Sequence, residues 1–136
     1  CPQAANKLRA LLEQGGEAIE GPFDGEEAIT LMADLQAGAS GSMTSAMIPD
    51  QIKPVIEHFL AGRTDQAAST YARVLPAINF ENRQCGFRAT KVVMEEGGVI
   101  QSSFCRHPIP SIHPQTKAGL LELLKPLNPV ALNWGK

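Results

Sequence analysis

Apolar residues along this chain recur mostly with the period of a helix. Leu8, Leu11 and Leu12 stand at i, i+3 and i+4, and Gly15-Gly16 follows them as a stop. Ala18-Ile19-Glu20-Gly21 is short and runs into Gly-Pro, which predicts a brief strand and then a loop. Asp24, three residues before Glu27, has capping-box spacing ahead of a helix in which Ala28, Leu31, Met32 and Leu35 repeat at i, i+3, i+4 and i+7. Ala37-Gly38-Ala39 closes that helix, and residues 41–45 read as a second short strand ending in small residues. Helix, strand, helix, strand is βα alternation, and it predicts a parallel sheet with helices outside.

The alternation then stops. Ile52, Val55, Ile56, Phe59 and Leu60 mark a helix ending at Gly62; Thr64 can cap another carrying Ala67, Tyr71, Val74, Leu75 and Ile78, which Pro76 should kink or shorten. A third helix is expected over 86–96, stopped by Gly97-Gly98. Residues 105–114 hold three prolines and read as an extended loop, and a last helix runs through Leu120, Leu121, Leu123 and Leu124 to Pro126. Two parallel strands cannot cover their own faces and edges. The pattern therefore asks for further strands, and open edges invite pairing between chains.

Composition narrows the function classes. Of 136 residues, 43% are hydrophobic, enough for a core; charged residues are 19% and the net charge is −2, without a basic stripe. That excludes phosphate neutralisation on the scale nucleic-acid binding needs. No run nears the roughly 18 apolar residues of a membrane span. Cys1, Cys85 and Cys105 are odd in number and scattered, fitting free thiols rather than a disulfide framework or a zinc site. His58, His107 and His113 have no acidic partner at triad spacing, and Arg106 reads as a tie to loop carbonyls. A start at Cys1-Pro2 in place of methionine points to a fragment or processed product.

Three stretches in order carry a resemblance. Gly38-Ala39-Ser40-Gly41-Ser42-Met43-Thr44-Ser45, then Leu75-Pro76-Ala77-Ile78-Asn79-Phe80-Glu81, then Lys91 through Gly98-Val99-Ile100 to Arg106-His107-Pro108, resemble the closing signatures of the dihydrodipicolinate synthase / N-acetylneuraminate lyase family. Ala4-Ala5-Asn6-Lys7-Leu8, Glu20-Gly21-Pro22-Phe23-Asp24-Gly25 and Glu81-Asn82-Arg83-Gln84-Cys85-Gly86 look closest to its sugar-acid dehydratase branch. Residues 46–48 depart from the aldolase members, where an asparagine is common.

The resemblance implies an α/β chain: the C-terminal portion of a (β/α)8 TIM barrel, with a three-helix C-terminal extension. Residues 1–62 would be the last βα units and 63–136 the extension, the earlier strands of a fold of about 250 residues being absent. It implies a Schiff-base lyase, a dehydratase or aldolase acting on a small-molecule 2-oxo acid. No cofactor and no metal is needed, because the imine itself is the electron sink. The imine-forming lysine is expected upstream of Cys1, with a tyrosine proton relay; Lys7, Lys53, Lys91, Lys117 and Lys125 fall in predicted helices as surface amines, and Tyr71 as a packing residue.

What would remain is one rim of the pocket. Gly21, Asp24 and Glu26 follow the seventh barrel strand; Met43, Thr44 and Ser45 follow the eighth and are expected to line the substrate. Beside this stand a turn role for Gly21, a helix-cap role for Asp24 and a plain strand-end role for Ser45. The expected partners are the missing N-terminal barrel half and further copies in a homo-oligomer, without nucleic acid or membrane, in the cytoplasm. The competing reading is a non-catalytic helical assembly module.

Overall fold

The computed structural model describes residues 3–136; Cys1, one of the three expected thiols, lies outside them. Two compact units make up the chain. Among the described residues the first comprises 3–44 and 52–72, the second 45–51 and 73–136.

In the first unit, helix α1 (Ala4–Gly15) leads through a 3-10 turn (Gly16–Ala18) to strand β1 (Phe23–Asp24); helix α2 (Leu31–Gln36) returns the chain to strand β2 (Gly41–Ser42). The strands are parallel, with Phe23 opposite Gly41 and Asp24 opposite Ser42. The expected βα alternation is therefore present, but the first strand sits later than residues 18–21. Ala18 closes the 3-10 turn and Gly21 takes a left-handed φ of 45°, open to glycine at little cost, which breaks extended geometry there. Bonding starts with Ser40 N–H donating to Pro22 O (2.9 Å) and ends with Met43 N–H donating to Asp24 O (2.7 Å). Beyond Asp24 the chain turns away, so the second strand stops at Ser42 rather than Ser45.

The expected capping box does not form. Helix α2 starts only at Leu31, because Glu27 and Ala28 have φ of 57° and 65° and cannot be helical. Ala28, Leu31 and Leu35 are nevertheless buried, as are Ile52 and Val55 of α3 (Pro49–Leu60) and Ala67 of α4 (Thr64–Phe80). Pro76 does not shorten α4; the helix runs to Phe80 and passes into a π-turn (Glu81–Cys85). On the open side of this unit Leu11, Phe23 and Met43 remain exposed.

The second unit packs helix α5 (Arg88–Glu96) against α6 (Pro114–Leu124), the π-turn and a 3-10 turn (Val130–Leu132) that the sequence pattern does not announce. Val92, Val93, Leu120 and Leu124 are buried in it. Gly97-Gly98 ends α5 as expected: Gly98 has φ 73°, and Val99 N–H closes on Met94 O at 2.8 Å. The long segment after α5 is tied down from that helix. Lys91 donates to Phe104 O, Ser103 Oγ to Glu95 at 2.6 Å, and Arg88 to Pro110 O at 2.8 Å and Cys85 O at 2.8 Å. The tying role expected of Arg106 therefore belongs to Arg88, the first residue of α5, while the Arg106 side chain is exposed. His113 caps α6, accepting from Gln115 N–H at 3.2 Å. Cys85 and Cys105 are free thiols, and burial pushes the Cys85 thiol pKa up.

Candidate functional site

Parallel pairing sets the C-terminal ends of β1 and β2 side by side, so the loop after Asp24 and residues Met43 and Thr44 share one end of the sheet. Asp24 organises that end. Its carboxylate is 5% exposed and accepts three hydrogen bonds: from Glu26 N–H (3.1 Å), Ala28 N–H (3.0 Å) and Ser42 Oγ (2.8 Å). It thus caps the loop rather than a helix, and joins the loop to the neighbouring strand. Two consecutive non-glycine residues in left-handed geometry, Glu27 and Ala28, cost about 1–2 kcal/mol each. They persist because their surroundings fix them from two sides. Asp24 holds the Ala28 amide, and the Tyr71 hydroxyl lies within donating distance of Ala28 O (2.9 Å) and Ile29 O (2.5 Å).

Tyr71, which the sequence suggests only as a packing residue, is thus a polar anchor of this loop. Burial is the main reason its pKa rises from 10.0 to about 12, against a hydrogen bond with the Leu31 backbone and with help from the Asp24 and Asp34 charges. The folded value lies above the unfolded one. The associated stability is therefore complete below pH 10 and lost as pH climbs through about 12. Tyr71 is the single tyrosine, so phenolate absorbance reports it alone. We expect its titration about two pH units above that of the unfolded chain and a matching alkaline loss of stability that Tyr71→Phe abolishes; an ordinary titration near 10 contradicts this.

Asp24 and Glu26 line a cavity of about 420 Å³ with Lys7, Leu8 and Leu11 of α1 and Asp34 of α2. Asp34 is buried and accepts from Thr30 Oγ1 at 2.6 Å. Gly21 and Met43 are exposed and lie outside that lining, Met43 being 64% exposed. The Thr44 hydroxyl oxygen is buried without a partner, as is one carboxylate oxygen of Glu27. Buried polar atoms of this kind are uncommon in folded proteins, and both follow strand ends. Capping-box spacing marks Glu27 only as a helix-start residue, and the loop geometry instead buries one of its carboxylate oxygens.

Ser45, in the second unit, sits in a polar chain. Its hydroxyl is 2.5 Å from Thr90 Oγ1, Thr90 donates to Glu81 Oε1 at 3.2 Å, and Met47 N–H donates to Ser45 Oγ at 3.1 Å. Ser45 is 9% and Glu81 4% exposed.

No lysine lies in β1 or β2. Lys7 is in α1, Lys53 in α3, Lys91 in α5 and Lys117 in α6; Lys125 follows α6, and Lys136 is the last residue. Lys53 pairs with Glu57 at 3.6 Å and Lys117 with Glu96 at 3.7 Å. His58 accepts from Arg63 Nε at 3.1 Å on its helix. Among the described residues no three His, Cys, Asp or Glu side chains gather as metal ligands, and no helix is long and apolar enough to cross a membrane.

Comparison with known proteins places this geometry. Residues 18–127 match the model of the dihydrodipicolinate synthetase family. The chain is 55% identical over 133 residues to an L-2-keto-3-deoxyarabonate dehydratase from Azospirillum brasilense, covering 98% of this chain and 43% of that protein. Among solved structures it is similar to dihydrodipicolinate synthase from Rhodopseudomonas palustris, with a TM-score of 0.78 and 26% identity over 88% of this chain and 41% of the other. The dihydrodipicolinate synthase from Oceanobacillus iheyensis matches at TM-score 0.73 and 20% identity, over 93% of this chain and 44% of the other. The chain thus spans less than half the length of each relative.

Proposed function

The chain belongs to the dihydrodipicolinate synthetase family, and from that we propose that it is the C-terminal part of a Schiff-base lyase that removes water from a 2-keto-3-deoxy sugar acid, such as L-2-keto-3-deoxyarabonate. The observation that carries the substrate class is the 55% identity to a dehydratase of that name across 98% of the chain. In this reading residues 1–62 close a (β/α)8 barrel and 63–136 form its helical extension.

The reaction needs a neutral amine at the C-terminal end of a barrel strand to form the imine with the substrate ketone. Neither β1 nor β2 carries a lysine, so that amine comes from barrel units outside these residues. The imine draws electrons from the neighbouring carbon; a proton leaves that carbon, and the next C–O bond breaks to release water. The share of this chain is to shape one rim of the pocket. Asp24 and Tyr71 hold the loop of residues 25–30 rigid, and Gly21, Glu26, Met43 and Thr44 offer backbone and side-chain contacts to substrate hydroxyls.

A chimera tests the reading. These residues replace the matching stretch of the Azospirillum brasilense dehydratase, and turnover of L-2-keto-3-deoxyarabonate is followed. We expect activity within about tenfold of the parent, a difference of about 1.4 kcal/mol in barrier. A folded chimera that forms an adduct with pyruvate yet does not dehydrate the sugar acid overturns the substrate assignment.

A further inference from the structure

We propose that a cavity in the second unit, walled by α5, α6 and residues 103–112, binds a small monocarboxylic acid with a branched aliphatic body. The site stands whether or not the lyase reading does.

The segment over the cavity is tied to α5 at both ends. Ser103 Oγ donates to Glu95 at 2.6 Å, Lys91 donates to Phe104 O, and Arg88 donates to Pro110 O at 2.8 Å. Beneath it lies a cavity of about 330 Å³, inside the roughly 300–1,000 Å³ range of small-molecule sites. Arg88 and Val92 stand at i and i+4 on α5 and so share the face that lines it. Ile109 and Ile112 come from the overlying segment and Lys117 from α6. Phe104, which also lines the cavity, is 73% exposed, so the space opens to solvent.

Charge sets the kind of ligand. Arg88 and Lys117 line the cavity and no carboxylate does. Of the five N–H donors of a guanidinium, Arg88 uses Nε on Cys85 O and one at Nη1 on Pro110 O; the others remain for a ligand. Those two bonds also hold the fork in one orientation, ready for a carboxylate before it arrives. Lys117 stands 3.7 Å from Glu96, beyond hydrogen-bond length, which leaves its ammonium open to a second acceptor. The remaining wall is aliphatic: Val92, Ile109 and Ile112. An amine would meet two cations there, and a neutral hydrocarbon would strip water from the cations without replacing it. An acid with a branched tail satisfies both halves of the lining.

The test is isothermal titration calorimetry on the chain itself, with 4-methylpentanoate as probe and 4-methylpentanamide and acetate as controls. The acid is expected to bind saturably at millimolar concentration. The amide, which lacks the charge, and acetate, which lacks the tail, should each bind about tenfold more weakly, the worth of one charge-assisted hydrogen bond or of a few buried methylenes. Lys117→Gln weakens the acid by a similar factor at an unchanged melting temperature, and Ile112→Trp fills the cavity and removes binding. Cys105 also lines the cavity, so bound acid slows its alkylation by iodoacetamide, read by peptide mass mapping. If Ile112→Trp does not fold, Lys117→Gln and the alkylation rate decide. Absence of saturable binding, equal affinity for acid and amide, or parental affinity in Lys117→Gln overturns the proposal.

Discussion

Replacing Asp24 with alanine is expected to destabilise the chain by roughly 4.5 kcal/mol, taking about 1.5 kcal/mol for each of three hydrogen bonds accepted by a buried carboxylate. The groups released are the amides of Glu26 and Ala28 and the hydroxyl of Ser42. The Ala28 amide is buried and has no water to turn to, so its loss is the least recoverable. Without Asp24, the left-handed pair Glu27 and Ala28 loses the hold on its Ala28 amide and is left with the Tyr71 hydroxyl and the Leu31 N–H at the Ala28 carbonyl. Asp24→Asn should cost about half as much, since one amide oxygen still accepts while the new N–H₂ faces the loop amides. Urea unfolding followed by circular dichroism measures both; an Asp24→Ala change within about 0.5 kcal/mol of the parent, the range of an ordinary surface substitution, contradicts this account of the loop.

The second large effect is expected at Gly97. A Cβ there would stand 1.8 Å from the carbonyl oxygen of Ala131 and 2.8 Å from its carbon. Both are backbone atoms of the terminal 3-10 turn, which no rotamer change can move aside. The same glycine accepts the Gly135 N–H through its carbonyl at 2.9 Å. Gly97→Ala must therefore push the 130–136 segment off α5, at about 3 kcal/mol, the upper end of ordinary overpacking. Trp134, the single tryptophan, reports the displacement: its fluorescence anisotropy should fall although the helices persist. Unchanged anisotropy and stability would show that the segment packs elsewhere.

Much of the helical content was legible because helices announce themselves by apolar period and by glycine stops, as at Gly62 and Gly97-Gly98. The alternation with a parallel pair was legible too, from two short apolar runs around a helix. The position of β1 was not. Strand pairing is decided by a partner eighteen residues away, and nothing local to Ile19 or Phe23 records that Gly41 lies opposite Phe23. The loop at residues 25–30 misled for a related reason. Asp24 and Glu27 have capping spacing, but Ser42 and Tyr71, distant in sequence, hold the loop in a geometry no helix permits. The same distance hid the link from Ser45 to Thr90 and Glu81. Arg88 and Arg106 illustrate it once more: Arg106 lies within the proline-rich loop, yet Arg88, 22 residues before Pro110, is the one that reaches a carbonyl there.

Under the proposed function, these residues shape a lyase pocket without supplying its imine-forming amine. The most direct measurement is peptide mass mapping after borohydride trapping of the chimera with pyruvate. The adduct is expected on a lysine of the dehydratase portion, with all six lysines of this chain unmodified. A reduced pyruvate adduct on Lys7, Lys53, Lys91, Lys117, Lys125 or Lys136 would contradict the account.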